Sequence, residues 1–198
     1  MLNGTVLLLA AIYFLLLAGL YGVSFWLPTV VKAAGMSDTM TIGWISAIPY
    51  CTAAVIMNLV ARNADRTRTW GVHVGLSALL AGAGFFISVL YAQQIILSII
   101  ALTAASVGIL SALPLFWNLP TARLTGVAAA AGIGFINAAG NLAGFISPFM
   151  IGRLTDLTHS AGAGVVLLGA AAVIAAALLF AYLLWLEPRQ SGESSGFA

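Results

Sequence analysis

The chain has 198 residues, 62% of them hydrophobic and 6% charged, with a formal net charge of +2. A soluble domain carries about a quarter charged residues because its surface meets water, so this surface must meet something apolar. The charge is too small and too dispersed for a nucleic-acid-binding face, so no nucleic-acid partner is expected. The one cysteine offers no disulfide framework within the chain.

A helix that crosses a bilayer needs about 20 predominantly apolar residues. In chain order such runs fall at 5–31, 42–61, 70–90, 95–117, 126–151 and 164–186. The first is too long and lacks the basic leader of a signal peptide, and five more follow it. The second contains Cys51, which in an apolar run reads as a small buried hydrophobe. Behind it, residues 61–68 read as a loop carrying Arg62, Asp65, Arg66 and Arg68. Its acid and bases either pair and cap neighbouring helix ends, latching two spans, or form a solvated loop that sets topology.

The third span has His73 just inside its start, an interfacial position, with a proton relay as the alternative. The fourth ends at Trp117, where aromatic residues form interfacial belts. The fifth carries Gly132, Gly134, Gly140 and Gly144, and Gly140-x-x-x-Gly144 predicts close helix contact. It also carries Asn137 and Asn141, one helical turn apart and so on one face. Two amides are costly against lipid, so they should face protein or a wet cavity. His159 lies beside Asp156 in the following loop, and a polar, disordered tail is expected at 188–198.

Away from the span ends there is no Asp, Glu, Lys or Arg. Arg62, Arg66, Arg68, Arg123 and Arg189 fall on one side of the predicted topology, whereas Lys32 and Arg153 fall on the other. The positive-inside rule therefore predicts cytoplasmic termini. The chain also matches itself. Residues 43–47 align with 134–138, and at the same offset Arg62, Asp65 and Thr67 fall on Arg153, Asp156 and Thr158. Apolar matches are cheap here, but charged matches are not. Copies separated by three crossings must be oppositely oriented, an inverted-topology repeat of the kind transporters use. The expected fold is an all-α membrane protein with six transmembrane helices as two inverted three-helix repeats. Residues 1–187 form the domain, with repeats at 5–90 and 95–187.

No His, Cys and carboxylate cluster has metal spacing, and neither a phosphate-binding loop nor a nucleophile elbow appears. Neither enzymatic activity nor a cofactor or metal is expected.

Asp65-Arg66 resembles the loop of glycine, Asp-Arg and further basic residues that follows the second helix of each half in the major facilitator superfamily, with Ala61 and Arg68 standing where glycines are usual. Residues 21–28, 45–50, Asp65-Arg66-Thr67 with Trp70 and His73, and the stretch from Leu119-Pro120-Thr121 through Asn137, Asn141 and Pro148 to Gly152 are similar to its anion:cation symporter branch. The resemblance implies the carboxy-terminal six-helix half of a carrier in a bacterial inner membrane. Its partners would be the lipid bilayer, a small organic anion and a proton. It also implies that Asn137 contacts substrate, with Trp117 and Tyr21 lining the same cavity. From the residues alone, the asparagines could equally bond between helices, Trp117 could belong to an interfacial belt and Tyr21 to the core. The family's charged binding and coupling residues lie largely in the other half. The expectation is therefore a truncated or split carrier, or one with a separately encoded partner half. A self-standing six-helix homodimer or structural subunit is the alternative.

Overall fold

The computed structural model describes residues 4–33 and 38–186, and the tail expected at 188–198 lies outside the described residues. Eight helices follow in order: α1 (Gly4–Ala33), α2 (Thr39–Thr67), α3 (Trp70–Leu90), α4 (Ile95–Phe116), α5 (Asn118–Arg123), α6 (Val127–Asn141), α7 (Ala143–Thr158) and α8 (Ala161–Leu186). They make six segments long and apolar enough to cross a membrane, α4 with α5 and α6 with α7 each forming one.

The two interrupted spans have local causes. Pro120 lacks an N–H and its ring crowds the Phe116 carbonyl, so the helix breaks at Trp117 and resumes as α5. The second break, at Leu142, lies between Gly140 and Gly144, and the Leu142 carbonyl accepts from both Phe145 and Ile146. The fifth span is thus two helices, not the continuous one its composition predicted. α2 starts under an N-cap: the Asp38 carboxylate accepts from the Thr41 amide and hydroxyl at 2.8 and 2.7 Å. Those bonds hold its pKa below the usual carboxylate range.

Residues 62–67, expected in a loop, are instead the end of α2. With no glycine or proline between Ala61 and Thr67, nothing stops the helix. Its 29 residues extend about 43 Å at 1.5 Å per residue, beyond a hydrocarbon core of about 30 Å. α2 stops at Arg68, which adopts a left-handed conformation with φ of 53°. α7 stops the same way at His159, with φ of 50°, and these are the only non-glycine residues of positive φ among those described.

Arg68 and His159 are 91 residues apart. So are the starts of α1 and α4 (Gly4, Ile95), the ends of α2 and α7 (Thr67, Thr158) and the starts of α3 and α8 (Trp70, Ala161). The Thr67 hydroxyl donates to the Asn63 carbonyl and that of Thr158 to the Leu154 carbonyl, again at matched positions. The self-match of the sequence therefore recurs in helix boundaries and in stop geometry. A glycine would relieve the left-handed residue of its Cβ conflict. His159→Gly is expected to raise stability by about 0.5–1 kcal/mol, read as a higher unfolding midpoint in mixed micelles. An unchanged or lower midpoint would count against strain at this stop.

α1 is the central helix, packing on α4, α6, α7 and α8, with α2 held mainly against α4 and α3 sandwiched between α4 and α8. Leu9, Ile12, Leu16 and Leu27 of α1, Phe85 of α3, Ile109 and Phe116 of α4 and Leu168 and Leu179 of α8 are fully buried. Where α3 meets α4 the side chains are small: Ser77, Ala81, Gly84 and Ser88 face Ala101, Ala105 and Gly108, and the Ser98 hydroxyl donates to the Ser88 carbonyl. Cys51 corrects the expectation of burial, for it is exposed on α2, whose packed side is carried by residues such as Ala53.

Candidate functional site

The outward side of α1 carries Tyr21 and Ser24, three residues apart and therefore neighbours on the helix surface. Tyr21 is half-buried and Ser24 exposed. From this helix polar contacts reach in two directions. The Tyr21 hydroxyl donates to Asn141 Oδ1 of α6 at 3.3 Å, long for a hydroxyl bond. Asn141 Nδ2 in turn donates to Asn137 Oδ1 at 3.0 Å and to the Asn137 carbonyl at 2.8 Å. On the other side the Tyr50 hydroxyl of α2 donates to Ser24 Oγ at 3.2 Å, and Ser24 Oγ donates to the Leu20 carbonyl at 2.9 Å. Pro28 removes the N–H that would bond the Ser24 carbonyl in a regular helix.

The glycines of α6 and α7 make this placement possible, in a way composition did not predict. The Gly140-x-x-x-Gly144 pair spans the break at Leu142 and meets aromatic rings of α1, not a helix backbone. Tyr13 lies against Gly140, and a Cβ on Gly144 would stand 3.1 Å from the Tyr21 ring. Seating Tyr21 there brings its hydroxyl to Asn141. Tyr13 also stacks on Phe116 with ring centroids 5.0 Å apart and meets Trp117 edge-on at 4.9 Å.

The structure thus unites three of the residues singled out by sequence, Tyr21, Asn137 and Asn141. It places Trp117 in the aromatic cluster around Tyr13, two turns of α1 away from Tyr21. Asn141 bonds both to its own helix and to α1, and both asparagines remain exposed. Sequence reasoning missed Ser24 and Tyr50 as site residues. A signal existed, because Ser46 and Tyr50 fall on Asn137 and Asn141 at the repeat offset, a polar pair one turn apart in both copies. The Ser46 hydroxyl is buried without a hydrogen-bond partner.

At the other motif, Asp65 Oδ1 accepts from the Trp70 indole at 2.8 Å, tying the end of α2 to the start of α3, while Arg62 and Arg66 are exposed. His73 belongs to the same junction. Its Nδ1 lies 2.9 Å from the Thr69 carbonyl and its Nε2 lies 3.1 Å from Asn63 Nδ2, which suits a neutral ring with the proton on Nδ1. Among the described residues no group of His, Cys, Asp and Glu could hold a metal.

No family model matches the chain. Curated relatives do. It is 43% identical over 87% of its length to the "Putative tartrate transporter" of Agrobacterium vitis, of which it covers 38%. It is 37% identical over 90% of its length to the inner membrane transport protein RhmT of Escherichia coli strain K12, of which it covers 41%. It is 33% identical over 91% of its length to the quinolone resistance transporter of Acinetobacter baumannii, of which it also covers 41%. The chain therefore spans about two fifths of the length of the relatives it matches.

Proposed function

From its homology to transporters of the major facilitator superfamily over nearly nine tenths of its length, we propose that this chain forms one six-helix half of a secondary carrier for a small organic anion. The observation that carries the reading is the strip Asn137, Asn141, Tyr21, Ser24 and Tyr50. Five polar side chains on the outward side of otherwise apolar spans are costly against lipid. Facing a water-filled cavity they are solvated, and they offer donors and acceptors to hydroxyl and carboxylate groups. The relative named for tartrate supports a polar, anionic cargo.

The spans of this chain supply neither a cation for a carboxylate nor an acid to carry a proton, since their interiors hold no Asp, Glu, Lys or Arg. In this reading the second half provides both, and the strip forms one wall of a cavity at the interface of two halves. The helices flanking the strip have large apolar side chains for that interface: Trp44, Ile48 and Val55 on α2, and Phe145 and Phe149 on α7, all exposed. The two three-helix repeats lie in opposite orientation, with the arginine-rich ends of α2 and α5 in the cytoplasm of an inner membrane. The Asp65 and Trp70 contact then latches α2 to α3 on that side, with Arg62 and Arg66 facing the headgroups.

The test is uptake of a labelled dicarboxylate into proteoliposomes with an imposed proton gradient. The chain alone is expected to give uptake no higher than empty vesicles. Co-reconstituted with the amino-terminal six helices of a tartrate-transporter relative, it should give uptake that collapses when the gradient is dissipated. Gradient-dependent uptake by the chain alone would overturn the half-carrier reading in favour of a homodimer. Uptake by the pair that ignores the gradient would remove the proton coupling.

A further inference from the structure

A cavity of about 780 Å³ opens where α3 begins and where α5 and α8 end. Arg68, Thr69 and Trp70 line it from the α2–α3 junction, Asn118 and Arg123 from α5, and Leu184 from α8. It therefore sits at the ends of three spans, the depth at which a bilayer changes from acyl chains to headgroups. Two arginines, Arg68 and Arg123, line it, and among the described residues no acidic residue does. Arg123 is held in place, its guanidinium 4.9 Å above the Tyr182 ring, an arrangement that orients a cation without neutralising it. The first residues of α3, Trp70, Gly71 and Val72, line the same wall, and Thr69 makes no side-chain cap to the helix start. Beyond the arginines the lining turns apolar and outward, with Val72 exposed by 42% and Leu184 by 74%.

We propose that this cavity binds the phosphate headgroup of an anionic phospholipid, with Arg68 and Arg123 on the phosphate and its acyl chains along Val72 and Leu184. A soluble anion would use the arginines but gain nothing from the apolar lip. The site is separate from the strip on α1 and does not depend on transport. It gives the end of the bundle where α2 and α5 carry Arg68 and Arg123 a fixed lipid, so that Trp70, which bonds Asp65, is braced from its cavity side.

Native mass spectrometry of the full chain in a neutral detergent, titrated with phosphatidylglycerol, phosphatidylcholine or sn-glycerol 3-phosphate, tests this. A basic residue near an anionic surface is worth about 1 kcal/mol, or about fivefold, so two predict about a twenty-five-fold preference for phosphatidylglycerol over phosphatidylcholine. R68Q/R123Q should abolish the preference, and R153Q, outside the cavity, should keep it. If the double variant fails to fold, R68Q alone alters an exposed side chain and should cost about fivefold. Equal binding of the two lipids, or an undiminished preference in the arginine variants, would refute the site. Competition by sn-glycerol 3-phosphate as strong as by the lipid would overturn the lipid assignment in favour of a free anion.

Discussion

Gly108→Val in α4 is expected to leave little correctly folded chain, with the unfolding midpoint in mixed micelles lowered by an amount corresponding to about 3 kcal/mol, the upper end of what overpacking usually costs. A Cβ on Gly108 would meet the Ser77 carbonyl oxygen and stand 2.6 Å from the Ala81 nitrogen. Gly84 of α3 is the reciprocal case, with the Ala101 carbonyl oxygen and the Ala105 nitrogen both at 2.6 Å. These neighbours are backbone atoms inside helices and cannot swing aside, unlike the Phe180 ring that faces Gly75. Valine would have to push α3 and α4 apart. In lipid no hydrophobic gain returns when helices separate, because their association rests on close packing and hydrogen bonds. The Ser98 to Ser88 bond across the same pair would be lost as well. Gly134 is the control, since nothing lies within 4 Å of a Cβ there. Gly134→Val should unfold near the parent midpoint, and a Gly108→Val chain that does the same would show that α3 and α4 are not held by close approach.

The contrast between these glycines shows what was legible in the sequence. The number of spans was, because bilayer thickness demands long apolar runs and charges are excluded from them. The repeat was visible in Arg62, Asp65 and Thr67 against Arg153, Asp156 and Thr158, since rare residue types carry information in an apolar chain. Which glycines make tight contact was not legible. Gly140-x-x-x-Gly144 has the familiar spacing, yet it receives Tyr13 and Tyr21. Gly71-x-x-x-Gly75 of α3 meets only the side chains of Leu183 and Phe180, while the backbone contact belongs to Gly84 and Gly108, neither of which belongs to a Gly-x-x-x-Gly pair. Their partners are Ala101, Ala105, Ser77 and Ala81, so the signal is shared between two helices and appears only once they are paired.

A related limit applies to the site. Asn137 and Asn141 stand out because amides are rare in hydrocarbon, whereas Ser24 and Tyr50 do not, because serine and tyrosine are common in membrane helices. What gathers them is the position of α1 between α2 and α6, a tertiary fact. The boundary errors have a local origin instead. α2 and α7 overrun their apolar stretches because helix formation continues until a residue stops it, at Arg68 and His159. Hydropathy measures where the bilayer ends and carries no such signal.

Asn141→Leu is expected to lower uptake by the reassembled carrier about ten- to a hundredfold while leaving the stability of the chain nearly unchanged. Leucine is close in volume, but it removes the acceptor for the Tyr21 hydroxyl and the donor to Asn137 in one step. Leaving such groups without partners in a confined site costs about 1–3 kcal/mol, and a substrate held by them loses its orientation. Stability should survive because Asn141 is exposed, and in lipid or detergent a leucine there is no worse than an amide. Tyr21→Phe should cost less, about fivefold or under, since the bond it deletes is long at 3.3 Å and Asn141 keeps its contact with Asn137. The pairing of the two measurements decides the role of the strip. If Asn141→Leu lowers the unfolding midpoint as much as it lowers uptake, the asparagines are packing elements between α1 and α6. If uptake falls while the midpoint holds, their polar groups act on what passes through the cavity. Unchanged uptake at unchanged stability would remove Asn141 from the site altogether.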